Sequence, residues 1–184
     1  YGVFDEKRIF KEGPPYDFIE YKKLKIGLMI CEDMWTNKIA KRLTKKTVDI
    51  FVCINASPYD HEKQTQRYEV AKNIINISKK PIIYVNQIGG QDELVFDGGS
   101  FVLDGNGKII CNLKTWTEDI KVVDILDSKF MKNINKYSLE NIICDKNFNI
   151  WNALVLGLRD YVKKNSFKKV ILGLSGGIDS AVTA

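Results

Sequence analysis

KIGLMICEDMW, residues 25–35, decides how the rest of the chain is read. Its first half is an apolar run of the length of a buried strand, and its second half turns acidic immediately after Cys31. Two further apolar runs stand downstream, VDIFVCI (residues 48–54) and PIIYVNQI (residues 81–88). The second opens on Pro81, which suits the first position of a strand. Between the runs, Trp35, Ile39 and Leu43 recur every four residues, and Tyr68, Ala71 and Ile75, with Ile74 beside them, repeat the spacing. That is helical periodicity. Residues 24–86 are therefore expected to fold as strand, helix, strand, helix, strand, an α/β arrangement.

After Gly99 the texture changes. SFVLDGNGKII places the turn signal Asp104-Gly105-Asn106-Gly107 between two β-rich runs, which predicts a hairpin. IKVVDI (residues 120–125) reads as another strand. Residues 127–149 are rich in Asn and Lys and poor in periodicity, as in a linker. Residues 150–162, with apolar positions at Trp151, Leu154, Val155, Leu158 and Val162, predict a helix, and KKVILGL (residues 168–174) a strand leading into a glycine loop. The domain boundary falls within residues 130–148.

The 184 residues provide for one domain, or one domain and part of another, with an ordinary 45% hydrophobic and 28% charged composition. No apolar run approaches the ~20 residues of a membrane span, and no signal segment is present. The net charge of +5 comes from dispersed lysines. Lys163, Lys164, Lys168 and Lys169 bracket a predicted helix end, where cations complement the helix dipole and stay solvated. No aromatics interleave with basic residues, so a nucleic-acid stripe is not indicated. Cys31, Cys53, Cys111 and Cys144 lack CxxC spacing, which points to a reducing, cytoplasmic setting without disulfides or structural zinc.

Two stretches carry chemistry. In SGGIDS, Gly176 and Gly177 let the backbone approach an anion closely. Exposed N–H groups at the helix start, with the hydroxyls of Ser175 and Ser180, can then donate to phosphate. Ile178 and Asp179 complete the loop; a carboxylate here fits a magnesium ion held against the phosphates. The loop lacks the GKS ending of a Walker motif. Cys31, at the end of a strand and before a helix, occupies a position that presents a nucleophile and favours thiolate. The same residue also fits an inert core thiol. Glu32 and Asp33 raise a neighbouring thiol's pKa, so a working thiolate requires a cation and a base close by. The one histidine, His61, lies in the polar stretch SPYDHEKQ, as a solvated loop or helix-start residue does.

YGVFDEKRIF, ICEDMW, NASPYDHEKQTQR, YVNQIGGQDELVFDGGSF and LGLSGGIDSAVTA, in that order, resemble the bacterial glutamine-dependent NAD(+) synthetase family along almost the whole chain. SGGIDS by itself resembles the pyrophosphatase loop of the ATP pyrophosphatase superfamily. The resemblance implies the second half of a nitrilase-like α-β-β-α sandwich (residues 1–129), a linker (130–148), and the first helix, strand and phosphate loop of a Rossmann-like ATP pyrophosphatase domain (149–184). It implies that Cys31 is the nucleophile attacking the side-chain amide of glutamine, with the Glu32 N–H as oxyanion donor. Tyr1, Ser57 and Arg67 fall where the family surrounds glutamine, and Glu6 where a supporting carboxylate would stand. The family's catalytic glutamate and lysine would precede Tyr1. Ser175, Gly176, Gly177, Ile178, Asp179 and Ser180 would bind ATP, with Asp179 on Mg2+. Residues 91–97 fall near the family's ammonia path.

The implied chemistry is amidation of deamido-NAD with ammonia from glutamine, giving NAD, glutamate, AMP and pyrophosphate. The implied partners are small molecules, with no nucleic acid or membrane, and a homo-oligomer at full length. The chain is expected to be an internal fragment that alone neither hydrolyses glutamine nor binds ATP tightly. A free-standing nitrilase-type amidohydrolase would leave SGGIDS without a purpose, and a non-catalytic nucleotide-binding domain would leave ICEDMW idle.

Overall fold

The computed structural model describes residues 8–11, 18–124 and 145–184. Among the described residues, eight strands and four helices follow in chain order: β1 (Ile19–Tyr21), β2 (Leu24–Ile30), a 3-10 turn (Cys31–Met34), α1 (Asn37–Lys45), β3 (Ile50–Asn55), α2 (Lys63–Ser78), β4 (Ile82–Asn86), β5 (Ile88–Gln91), β6 (Leu94–Asp97), β7 (Phe101–Leu103), β8 (Ile109–Asn112), α3 (Lys146–Lys164) and α4 (Ile178–Thr183). The expected strand–helix–strand–helix–strand unit is there as β2–α1–β3–α2–β4. A six-stranded sheet runs in the order β1-β2-β3-β4-β7-β8, and β5 and β6 form a separate two-stranded hairpin. β2, β3 and β4 are parallel, as strands joined through helical crossovers are; β1, β7 and β8 add antiparallel edges.

Strand alternation divides the sheet into two faces. Register aligns Met29 with Cys53, Cys53 with Tyr84 and Tyr84 with Phe101, so one row crosses four strands. That row is buried beneath Ala40 and Leu43 of α1 and Tyr68, Ala71, Ile74 and Ile75 of α2. The Tyr84 and Phe101 rings stack at 4.7 Å, and the Tyr68 and Phe101 rings at 4.2 Å. The residues between them, Leu28, Ile30, Ile54 and Val85, are exposed on the opposite face.

The Asp104–Gly107 hairpin forms where expected, between β7 and β8. Asp104 Oδ1 accepts from the Asn106 and Lys108 amides at 2.8 Å, and Gly107 adopts φ 81°. A Cβ on Gly105 would stand 2.7 Å from the Lys79 carbonyl oxygen, so only glycine fits the turn against the end of α2.

Four details depart from the expectations. Residues 120–124 form no strand, and Ile125 lies outside the described residues. Residues 168–174 are exposed and irregular, because a strand needs a neighbour to receive its N–H and C=O groups, and none among the described residues provides one. α3 starts at Lys146, inside the stretch read as linker, because Asp145 caps it by accepting from the Asn147 and Phe148 amides at 2.9 and 3.1 Å. Lys164 is not merely solvated: its Nζ donates to the Gly90 carbonyl at 2.6 Å and to Gln91 Oε1 at 3.0 Å. Among the described residues, no helix is long and apolar enough to cross a membrane.

Candidate functional site

Cys31 follows the last residue of β2, at the carboxyl ends of three parallel strands, where open α/β sheets present their functional groups. Its φ of 43° is a left-handed conformation that side chains seldom adopt, and it turns the chain from β2 into the 3-10 turn. Asp33 stabilises that turn by accepting the Ile30 N–H at 2.9 Å. On β3, the Cys53 thiol donates to Asn55 Oδ1 at 3.4 Å. Burial, only partly offset by Asn55, pushes the Cys53 thiol up to about 12, so at neutral pH it stays protonated and does not compete as a nucleophile. Asn55 in turn donates to the Cys53 and Val85 carbonyls at 2.9 and 3.0 Å, joining the ends of β3 and β4.

Next to this lies a buried polar cluster centred on Arg67, which is 0% exposed. Its Nε donates to Ser57 Oγ at 3.2 Å. One terminal nitrogen donates to Gln64 Oε1 at 2.9 Å and Asp97 Oδ2 at 3.0 Å, and the other to the Ser57 and Pro58 carbonyls at 2.8 and 3.2 Å. All five guanidinium N–H groups thus have acceptors within the chain. Burial raises the Asp97 carboxyl, and the Arg67 guanidinium pulls it back. Asn86 accepts the Ser57 N–H at 2.9 Å and donates to the Gly98 carbonyl at 3.1 Å, and Gln64 Nε2 donates to the Gly99 carbonyl at 2.9 Å. Burial raises the Tyr84 phenol, and the Arg67 guanidinium pulls it partly back.

Ser57 and Arg67 therefore come together, beyond the carboxyl end of β3 and beside the end of β2 that Cys31 follows. Tyr1 and Glu6 lie outside the described residues. His61 is exposed between Asp60 and Glu62, at 3.3 and 3.6 Å, as a solvated residue at the start of α2. Sequence reading missed Asn86 and Gln64, and it named Asp97 only as the end of the stretch near the family's ammonia path, not as the partner of Arg67. The available signal was Arg67 itself, since a guanidinium on the apolar face of a helix requires a buried anion. It also missed Lys63, whose Nζ stands 4.3 Å over the Trp35 ring, against the turn that follows Cys31.

The second candidate loop is separate and exposed. Gly176 has φ 85°, Ser175 Oγ and Ser180 Oγ lie 3.0 Å apart, and Ser180 Oγ donates to the Gly177 carbonyl at 3.0 Å. Asp179 occupies the first turn of α4. Among the described residues no group of three or more His, Cys, Asp or Glu could hold a metal ion by itself. One carboxylate beside a phosphate loop still fits magnesium, which binds through one or two carboxylates plus substrate phosphates.

The carbon-nitrogen hydrolase family matches residues 2–130. The chain belongs to the carbon-nitrogen hydrolase family. A second family, NAD synthase, matches residues 150–184, so the hydrolase region and the glycine loop with α3 from residue 150 onward fall in different matches. The chain is 38% identical to the glutamine-dependent NAD(+) synthetase of Acinetobacter baylyi, over 100% of this chain and 33% of that protein. The solved glutamine-dependent NAD+ synthetase of Acinetobacter baumannii, a complex with adenosine diphosphate, is 39% identical with a TM-score of 0.87, covering 100% of this chain and 34% of that one. The carbon-nitrogen hydrolase of Helicobacter pylori G27 shares the fold of the hydrolase region, with a TM-score of 0.53 at 24% identity, over 60% of this chain and 44% of that one. The chain spans about a third of the length of the curated relatives it matches.

Proposed function

We propose that this chain is part of a cytoplasmic glutamine-dependent NAD(+) synthetase, a homo-oligomer at full length. Residues 1–129 are the second half of its glutaminase domain, 130–148 a linker and 149–184 the start of its synthetase domain. The observation that carries the reading is the conjunction of Cys31, poised by a left-handed turn beside a buried Ser57–Arg67–Asp97 cluster, with two family matches in one chain.

Cys31 Sγ attacks the amide carbon of glutamine while the Glu32 N–H supports the developing oxyanion. The C–N bond breaks, the amide nitrogen leaves as ammonia with the proton given up by the thiol, and water cleaves the thioester to glutamate and the free thiol. Tyr1 and Ser57 hold the glutamine, with Arg67 behind Ser57. Because the donors of Arg67 are saturated within the chain, its part is to fix the Ser57 hydroxyl and the Ser57 and Pro58 carbonyls. Ser175, Gly176, Gly177, Ile178, Asp179 and Ser180 hold ATP, with Asp179 on Mg2+. That ion supplies charge neutralisation at the phosphates. ATP adenylates the carboxylate of deamido-NAD with loss of pyrophosphate, and ammonia released at Cys31 displaces AMP to form the amide.

In the full-length protein, Cys31→Ala should abolish NAD formation from glutamine and leave formation from ammonium intact. Retained glutamine-dependent activity would refute the nucleophile assignment. Glutamine hydrolysis without NAD formation from either nitrogen source would favour a free-standing amidohydrolase.

A further inference from the structure

The N–H and the C=O of Gly90 are both taken by α3. The amide donates to Asp160 Oδ2 at 2.8 Å, and the carbonyl accepts from Lys164 Nζ at 2.6 Å. Asp160 and Lys164 stand one helical turn apart, so one face of α3 grips one peptide residue from both sides. Partial burial raises the Asp160 carboxyl, but the Gly90 N–H, Arg159 and Lys164 outweigh that and lower it. The backbones meet at glycines. A Cβ on Gly90 would lie 3.1 Å from the Gly157 Cα, and a Cβ on Gly157 3.2 Å from Val95 Cγ2.

The β5–β6 hairpin held this way leads directly into the Arg67 cluster. Its base is closed by the Gly98 N–H donating to the Gln87 carbonyl at 3.0 Å, and β6 ends on Asp97, the partner of Arg67. The Tyr59 N–H donates to the Val95 carbonyl at 2.7 Å, which ties the segment following Ser57 to the same strand. α3 also reaches the cluster by a second route. Trp116 Nε1 donates to Asn149 Oδ1 at 2.8 Å, the Trp116 N–H donates to the Asp97 carbonyl at 3.0 Å, and the Trp116 ring meets Tyr59 edge-on at 4.9 Å.

We infer that α3, which falls in the NAD synthase match from residue 150 onward, braces the glutamine site of the hydrolase region at two points, with Asp160 and Lys164 as positioning residues acting through Gly90. The inference rests on the reading under Proposed function. Ser57, Arg67 and Asp97 keep their geometry only while α3 is docked, so displacement of α3 in the synthetase region alters amide cleavage without touching Cys31.

The test uses the full-length protein with Asp160 and Lys164 both replaced by alanine, and with Asp160→Asn as the conservative variant that keeps an acceptor for the Gly90 amide. Lys163→Ala, on the exposed side of the same turn, is the control. Gly90→Ala forces the same surfaces apart from the hydrolase side and serves if the double variant folds poorly. The double variant should lose roughly five- to tenfold in glutamine-supported NAD formation, the usual scale of coupling between sites. Its ammonium-supported rate should match the parent's, with Asp160→Asn close to the parent in both. Equal rates in parent and double variant, or an equal fall on both nitrogen sources, would overturn the inference. If the parent forms no NAD from either source, the functional reading fails and hydrogen exchange decides this one separately. Faster exchange over residues 57–59 and 97–100 in the double variant then supports the brace, and unchanged exchange there refutes it.

Discussion

Replacing Arg67 by methionine gives the sharpest test of how the buried cluster is held. The substitution keeps much of the side-chain volume but leaves Asp97, 4% exposed, without its counter-charge. It also strips donors from Ser57, Pro58 and Gln64. Removing one member of a buried ion pair costs about 3–5 kcal/mol. Against a urea slope of about 2 kcal/mol per M, the unfolding midpoint should fall by about 2 M. Asp97→Asn in the same background removes the orphaned charge, so the double variant should cost less than the sum of the singles by about 2 kcal/mol. The pH dependence has a definite sign. Burial raises Asp97 and Arg67 opposes that rise, so without Arg67 the folded value climbs further above the unfolded one. A raised folded pKa means that the folded state prefers the protonated acid. The deficit of Arg67→Met should therefore shrink as pH falls towards the ordinary carboxylate range and be complete once pH exceeds the folded value. Urea titrations followed by circular dichroism at pH 5 and pH 8 measure all of this. A midpoint shift below about 0.5 M, or additive penalties in the double variant, would refute the view that Arg67 and Asp97 are energetically one unit.

Iodoacetamide under native conditions should alkylate Cys31 well before Cys53 or Cys111, since both of the latter are buried and have raised pKa values; peptide mass spectrometry reads the order, and early labelling of Cys53 would contradict the core described here. Gly105→Ala should destabilise the chain by about 1–3 kcal/mol because the Lys79 carbonyl backbone must move, whereas Gly173→Ala, with nothing within 4 Å, should change stability by less than about 0.5 kcal/mol; thermal melts of the two variants check the contrast. In the full-length protein, Asp179→Asn should stop NAD formation from both glutamine and ammonium while glutamine hydrolysis survives at least in part; normal ammonium-supported turnover would remove Asp179 from the magnesium site.

The α/β unit from β2 to β4 was legible because its signals are local: apolar runs of strand length, a four-residue recurrence on the helices, and Pro81 at a strand start. The Asp104–Gly107 turn was legible for the same reason. What stayed hidden depends on partners far along the chain. Gly89 and Gly90 carry no β signal, and their strand exists beside β6 and against α3, with Asp160 gripping Gly90 from 70 residues away. Asp97 looks like a loop residue until Arg67 is seen to point at it. Residues 168–174 failed in the opposite sense: their composition favours a strand, but pairing requires a neighbour that composition does not provide. Cys31 was legible as a strand-end residue, but its left-handed backbone was not, because nothing in ICEDMW marks a positive φ.

The Trp116–Asn149 hydrogen bond has a practical consequence. Trp116 is 6% exposed and its indole is anchored to the first turns of α3, whereas Trp151 is largely in solvent. In a Trp35→Phe, Trp151→Phe background, intrinsic fluorescence would come from this one indole within the described chain. Its emission would shift to longer wavelength on release of Asn149 and entry of water. Helix docking could then be followed in real time by stopped flow, without a label, during the turnover it is inferred to govern.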